Sequence, residues 1–74
     1  MKNFEEKLNG LGFGMNDAGE YELSSETFLI NVFVFPNDTI EVSSYDYIKE
    51  VETKALYKTE ISAMRKIKEL VTNL

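Results

Sequence analysis

The stretch "TFLINVFVFPNDTIEV", residues 27–42, decides how this chain folds. Two apolar runs flank "PND", and that tripeptide has the chemistry of a three-residue hairpin loop. Pro36 presets the first turn position, and Asp38 tolerates the left-handed position that such a loop requires. The spacing predicts one strand from about Glu26 to Phe35 and a second from Thr39 to about Ser44. The first strand is apolar on both sides. Most of a half-buried strand alternates, so the question is what meets its second face.

A three-residue loop fixes the register, and the register sorts every side chain to one face or the other. Phe35 is expected opposite Thr39, Val34 opposite Ile40, Phe33 opposite Glu41, Val32 opposite Val42 and Asn31 opposite Ser43. One face then carries Phe28, Ile30, Val32, Val34, Ile40 and Val42. The other carries Leu29, Asn31, Phe33, Phe35, Glu41, Ser43 and Tyr45.

Working outward, Glu20 to Ser24 alternates, with Tyr21 and Leu23 on the first face and Glu20 and Glu22 on the second. It reads as a short antiparallel neighbour. "GLGFGMNDAG", residues 10–19, reads as a connector anchored by Phe13 and Met15. Its glycines mimic half of a phosphate-binding fingerprint, but such loops follow a strand and open a helix. At the N-terminus, Asn3 with Glu6 makes a capping-box pattern. Phe4, Leu8 and Leu11 follow at helical spacing, and Gly10 is the expected stop.

Residues 45–58, "YDYIKEVETKALYK", admit two readings. Ile48, Val51, Ala55 and Leu56 have helical spacing, whereas "KALYKT" fits a fourth strand. The reading favours a loop followed by a short strand near 54–58. A last helix opens at Lys58 or Thr59. Its apolar stripe is Ala63, Met64, Ile67, Leu70, Val71 and Leu74, and Arg65, Lys66 and Lys68 sit opposite. The expected architecture is a single α+β domain over residues 1–74. A three- to four-stranded antiparallel meander carries a short N-terminal helix and a C-terminal amphipathic helix.

Composition narrows the function. With 74 residues, one modest core is all the chain can bury. The absence of cysteine removes disulfides, thiolate ligands and thiol nucleophiles, and the absence of histidine removes the commonest general base and metal ligand. A cytoplasmic setting is expected, because small secreted domains generally need disulfide staples. "MKNFEEKLNG" lacks the apolar run of a signal peptide. The near-apolar run from Thr27 to Phe35 is far shorter than the ~20 residues that span a bilayer. No cofactor and no metal is expected: "NDAGE" and "NDTIE" lack calcium-loop spacing. No set of groups assembles into a catalytic constellation, since the serines have turn, strand-end or helix contexts and Glu5–Glu6 are sequence neighbours.

The net charge is −5. Residues 1–46 hold two lysines against nine acids, and residues 47–74 hold six bases against four acids. Nucleic acid is therefore a poor partner for most of the surface. A basic protein suits it better. The expected interface is the second sheet face: Leu29, Phe33, Phe35, Glu41, Tyr45, Glu20 and Glu22. Three coverings of it compete: the N-terminal helix crossing over, a second copy in a homodimer, or another protein.

The helix–three strands–helix order, with "YEL" (21–23) and "FLINVFV" (28–34) at the first two strands, resembles the double-stranded-RNA-binding domain. That resemblance implies topology. It would imply RNA contact through a lysine-rich start of the last helix, where this chain has only Lys58 before Thr59 and Glu60. An alternative nucleic-acid surface would use Lys54, Lys58, Arg65, Lys66 and Lys68. Size, acidity and α/β mixture are also similar to small phage-encoded inhibitors of bacterial defence complexes, the anti-CRISPR type. This implies phosphate mimicry by Glu20, Glu22, Glu26, Asp38, Glu41 and Asp46. A further alternative is an oligomeric structural protein.

Overall fold

Each turn in this chain is set by a few local hydrogen bonds, and the strands follow from them. In the computed structural model, which describes residues 2–73, helix α1 spans Lys2–Gly10. Its end is a Schellman turn: Phe13 N–H donates to Leu8 O and Gly12 N–H to Asn9 O, both at 3.0 Å. Gly12, at φ +100°, takes the left-handed position. Phe13 then folds back onto Leu8, and both are buried. The stop is thus Gly12 rather than the expected Gly10. Asn3 lies within the helix rather than before it.

The chain next forms a two-residue strand β1, Gly14–Met15, inside the expected connector. Met15 does not anchor it, being 58% exposed. Asn16 builds the turn that follows. Its Oδ1 accepts from Ala18 N–H at 2.9 Å and Glu20 N–H at 3.0 Å. Strand β2, Tyr21–Ser24, pairs with β3, Phe28–Val34, and β3 with β4, Ile40–Asp46. The expected hairpin register holds at every position, Val34 opposite Ile40 through Asn31 opposite Ser43, with Phe35 N–H donating to Thr39 O. Asp38 has φ 66°, the left-handed position assigned to it.

Residues 45–58 are corrected by the structure. Strand β4 runs on to Asp46, and residues 47–50 form a tight turn. Asp46 Oδ1 accepts from Ile48 N–H and Lys49 N–H at 2.9 Å, and Glu50 at φ 56° returns the chain. A seven-residue strand β5, Val51–Tyr57, follows. The helical spacing of Ile48, Val51, Ala55 and Leu56 carries no helix, and Ile48 is 75% exposed at the turn. The aspartate side chain captures two amides and closes a turn that apolar spacing does not reveal.

The sheet is five-stranded and antiparallel, in the order β1-β2-β3-β4-β5. Helix α2, Glu60–Thr72, opens with Thr59 as N-cap, whose hydroxyl accepts from Ser62 N–H. Both helices lie on one face of the sheet. Phe4 and Leu8 of α1 and Ala63, Met64 and Ile67 of α2 share one core with Phe13, Ile30, Val32, Ile40 and Val42. Tyr21, Leu23, Phe28, Val34, Leu70 and Val71 flank it half-buried. Leu74, the last member of the predicted stripe, lies outside the described residues. The result is a single small α+β domain of two layers. No helix among the described residues is long and apolar enough to cross a membrane.

Candidate interaction face

With α1 and α2 on the same side, no helix among the described residues covers the second face of the sheet. Strand alternation sends every other side chain to it, and the observed register arranges them in rows. One row reads Ser24, Leu29, Tyr45, Glu52. The next reads Glu22, Asn31, Ser43, Lys54. A third reads Phe33, Glu41, Leu56. Phe35 extends the apolar end beside Thr39. The structure therefore brings Leu29, Phe33, Phe35, Glu41, Tyr45 and Glu22 onto one surface, and Glu20 joins them at the approach to β2.

The aromatic residues pair along the strands. Phe33 and Phe35 meet edge to face, their ring centroids 4.9 Å apart. Tyr45 and Tyr47 are tilted at 5.1 Å. Each pair shields part of its own surface, so Phe33, Phe35 and Tyr45 are half-buried without any layer above them. Edge-to-face pairs of this kind fix ring orientation as well as adding ~1 kcal/mol. A shallow cleft of about 210 Å³ crosses the middle of the face, between Leu29, Asn31, Tyr45 and Lys54.

Four carboxylates, Glu20, Glu22, Glu41 and Glu52, surround these side chains, against one ammonium, Lys54. Asn16 holds two of the acids: its Nδ2 donates to Glu22 Oε1 at 3.2 Å and reaches Glu20 Oε1 at 3.5 Å. At the centre, Asn31 Oδ1 is buried and accepts no hydrogen bond. A buried acceptor in that state carries a desolvation cost of ~1–3 kcal/mol.

The helix side differs. There, burial together with the neighbouring Glu5 carboxylate pushes the Tyr21 phenol up to about 12. Lys7, Arg65 and Lys68 line a groove between the helices beside the exposed Ile61. The cations considered for nucleic acid are thereby divided: Lys54 stands on the open sheet face, and Arg65 and Lys68 on the helix side.

The sequence placed Asn31 on this face but missed Glu52, Lys54 and Leu56. All three lie on β5, read as loop and short strand. Their signal was the alternation in "VETKALY", which sends Glu52, Lys54 and Leu56 one way and Val51, Thr53, Ala55 and Tyr57 the other. Among the described residues no cluster of acids is placed to hold a metal ion. Three of the five serine hydroxyls meet a threonine: Ser25 with Thr27 in a turn, Ser44 with Thr53 across β4 and β5, and Ser62 with Thr59 at the cap of α2. Comparison with known proteins returns no matching family model, no similar curated protein and no similar solved structure.

Proposed function

We propose that the protein is a non-enzymatic interaction module that docks its open sheet face on a basic protein partner. The observation that supports this most directly is the placement of both helices on one side. It leaves an aromatic and acidic surface unused by the fold. Phe33, Phe35, Tyr45 and Leu29 supply stiff contact area at low entropic cost. Glu20, Glu22, Glu41 and Glu52 supply the charge that steers a basic partner and selects against an acidic one. Such a partner could itself handle nucleic acid, and an inhibitor of the phage-encoded type, working in the cytoplasm, is one form of this reading.

The test uses the double variant Phe33→Ser/Phe35→Ser, checked for native circular dichroism. Wild-type and variant protein are used as bait in the native cell extract, and the captured protein is then purified and titrated directly. The reading expects capture of a basic protein by the wild type. Affinity should fall on the order of 100-fold in the variant, the scale of losing two interface aromatics. Unchanged affinity in a folded variant refutes it. So does wild-type affinity for duplex RNA that collapses steeply with added salt, which would mark a phosphate-binding surface instead.

A further inference from the structure

The sheet ends differently at its two edges. The β1 edge is two residues long. The β5 edge is seven residues long, contains no proline and is covered by no element among the described residues. Long exposed edges are templates for pairing with another strand.

The direction of its free backbone groups follows from the ladder. Phe35 N–H bonds Thr39 O and Tyr47 N–H bonds Thr27 O. Hydrogen-bonded pairs alternate along an antiparallel ladder, so Glu41, Ser43 and Tyr45 address β3. Ile40, Val42, Ser44 and Asp46 therefore address β5, where they face Tyr57, Ala55, Thr53 and Val51. The remaining residues of β5, Glu52, Lys54 and Leu56, turn their N–H and C=O groups outward.

We propose that β5 pairs antiparallel with β5 of a second copy of this chain, about a two-fold axis passing at Thr53. Side-chain chemistry selects that centre. Centring on Lys54 sets Lys54 against its own copy. Centring on Ala55 sets Lys54 against Leu56 and Glu52 against Lys58, but Lys58 lies past the end of β5, where the chain leaves the sheet for α2. Centring on Thr53 sets Glu52 against Lys54 of the copy, twice by symmetry. The outward backbone groups of those two residues then form hydrogen-bonded pairs, Thr53 meets Thr53, and Val51 meets Ala55 on the helix side. Opposite charges and threonine pairs across a ladder are favourable. Val51, 51% exposed in one chain, gains an apolar neighbour. The product is a continuous sheet with two copies of the open face side by side. This pairing is independent of what that face binds.

Sedimentation equilibrium of the full chain tests it. The wild type should dimerise reversibly. Glu52→Lys and Lys54→Glu each place like charges at both symmetric pairs. Each should raise the dimer dissociation constant on the order of 10- to 100-fold. The double variant Glu52→Lys/Lys54→Glu restores opposite charges and should return it toward the wild-type value. Amide exchange at Glu52 and Lys54 should slow at dimerising concentration. Lys54→Pro removes an outward N–H together with the ammonium, breaks no bond to β4 and should leave a folded monomer. Phe33→Ser/Phe35→Ser should leave the mass unchanged, which separates failure of this pairing from failure of the face reading. A wild type monomeric up to about 1 mM overturns the proposal. So does a dimer indifferent to both single charge reversals, and so does protection of these amides only when a foreign strand binds.

Discussion

Two glycines two residues apart should respond in opposite directions to the same substitution. Gly10 is the last residue of α1, and a Cβ built there meets nothing within 4 Å. Alanine lowers the entropy of the unfolded chain and favours helix, so Gly10→Ala should stabilise by about 0.5–1 kcal/mol. Gly12 stands at φ +100°, and a Cβ there lies 3.4 Å from Leu23 Cδ1. That contact is close to ordinary, so backbone strain decides. Forcing an L-residue into the left-handed region costs about 1–2 kcal/mol, and +100° lies beyond its usual range near +60°. The unfolded-state gain offsets roughly half of this, leaving Gly12→Ala destabilising by about 1 kcal/mol. For a domain of 74 residues the two variants should differ in melting temperature by roughly 10 °C. Urea denaturation with an unchanged m-value checks that the native state is what changed. If Gly10→Ala destabilises while Gly12→Ala is neutral, α1 ends where the simplest sequence reading puts it, and the Schellman turn is refuted.

Other expectations follow from single hydrogen bonds and charges. Thr59→Ala removes the acceptor for Ser62 N–H and should cost about 1 kcal/mol, read as a lower urea midpoint with fraying of α2 by amide exchange. Tyr21 should ionise near 12 against 10.0 for the free phenol, and Glu5→Gln should lower that value, as followed by ring resonances. Because the folded-state value is raised, the stability tied to Tyr21 is complete below pH 10 and is lost as pH climbs from 10 through 12. Titration of Tyr21 at 10 in both proteins would dismiss its pairing with Glu5. Asn31→Leu removes a buried acceptor that has no partner and should raise stability by about 1 kcal/mol while weakening capture of the protein partner. A loss of stability instead would mean that Asn31 is satisfied in the free protein.

The hairpin was legible because its loop chemistry is explicit. "PND" fixes a three-residue loop, the loop fixes the register, and alternation then names the core residues of both strands. The last helix was legible because Thr59 and the stripe from Ala63 to Val71 agree. The region around Asp46 was not, because its turn is built by an aspartate side chain bonding two amides and by Glu50 at positive φ, a conformation a glutamate does not advertise. Missing that turn cut β5 down to a short strand near 54–58 and left Glu52, Lys54 and Leu56 off the open face. The end of α1 was misplaced for a related reason. "NGLG" offers two glycines, and only the fold-back of Phe13 onto Leu8 chooses between them. Which face α1 covers was undecidable from its stripe alone. Phe4 and Leu8 fit either side of the sheet, and the short connection through Phe13 puts them beside α2.

The size of the open face ties its use to the edge beside it. At about 16 Å² per strand residue, the five strands present a flat footprint of about 430 Å². A specific interface commonly takes about 800 Å² from each partner. Rough side chains enlarge the footprint, but one copy still supplies a small docking surface. Pairing through β5 doubles the surface without adding a residue, and it joins the two rows that end in Glu52 and Lys54 to those of the copy. Those two side chains are then neutralised across the seam, so the acidic character concentrates on Glu20, Glu22 and Glu41 toward the outer parts of the joined sheet. A partner with basic groups spaced to meet both halves would gain from two contacts held in fixed geometry. If Lys54→Pro, which blocks the pairing and keeps all four acids, weakens partner binding in step with dimerisation, face and edge work as one surface. If partner affinity ignores the dimer equilibrium, the face acts alone as a small, weak site.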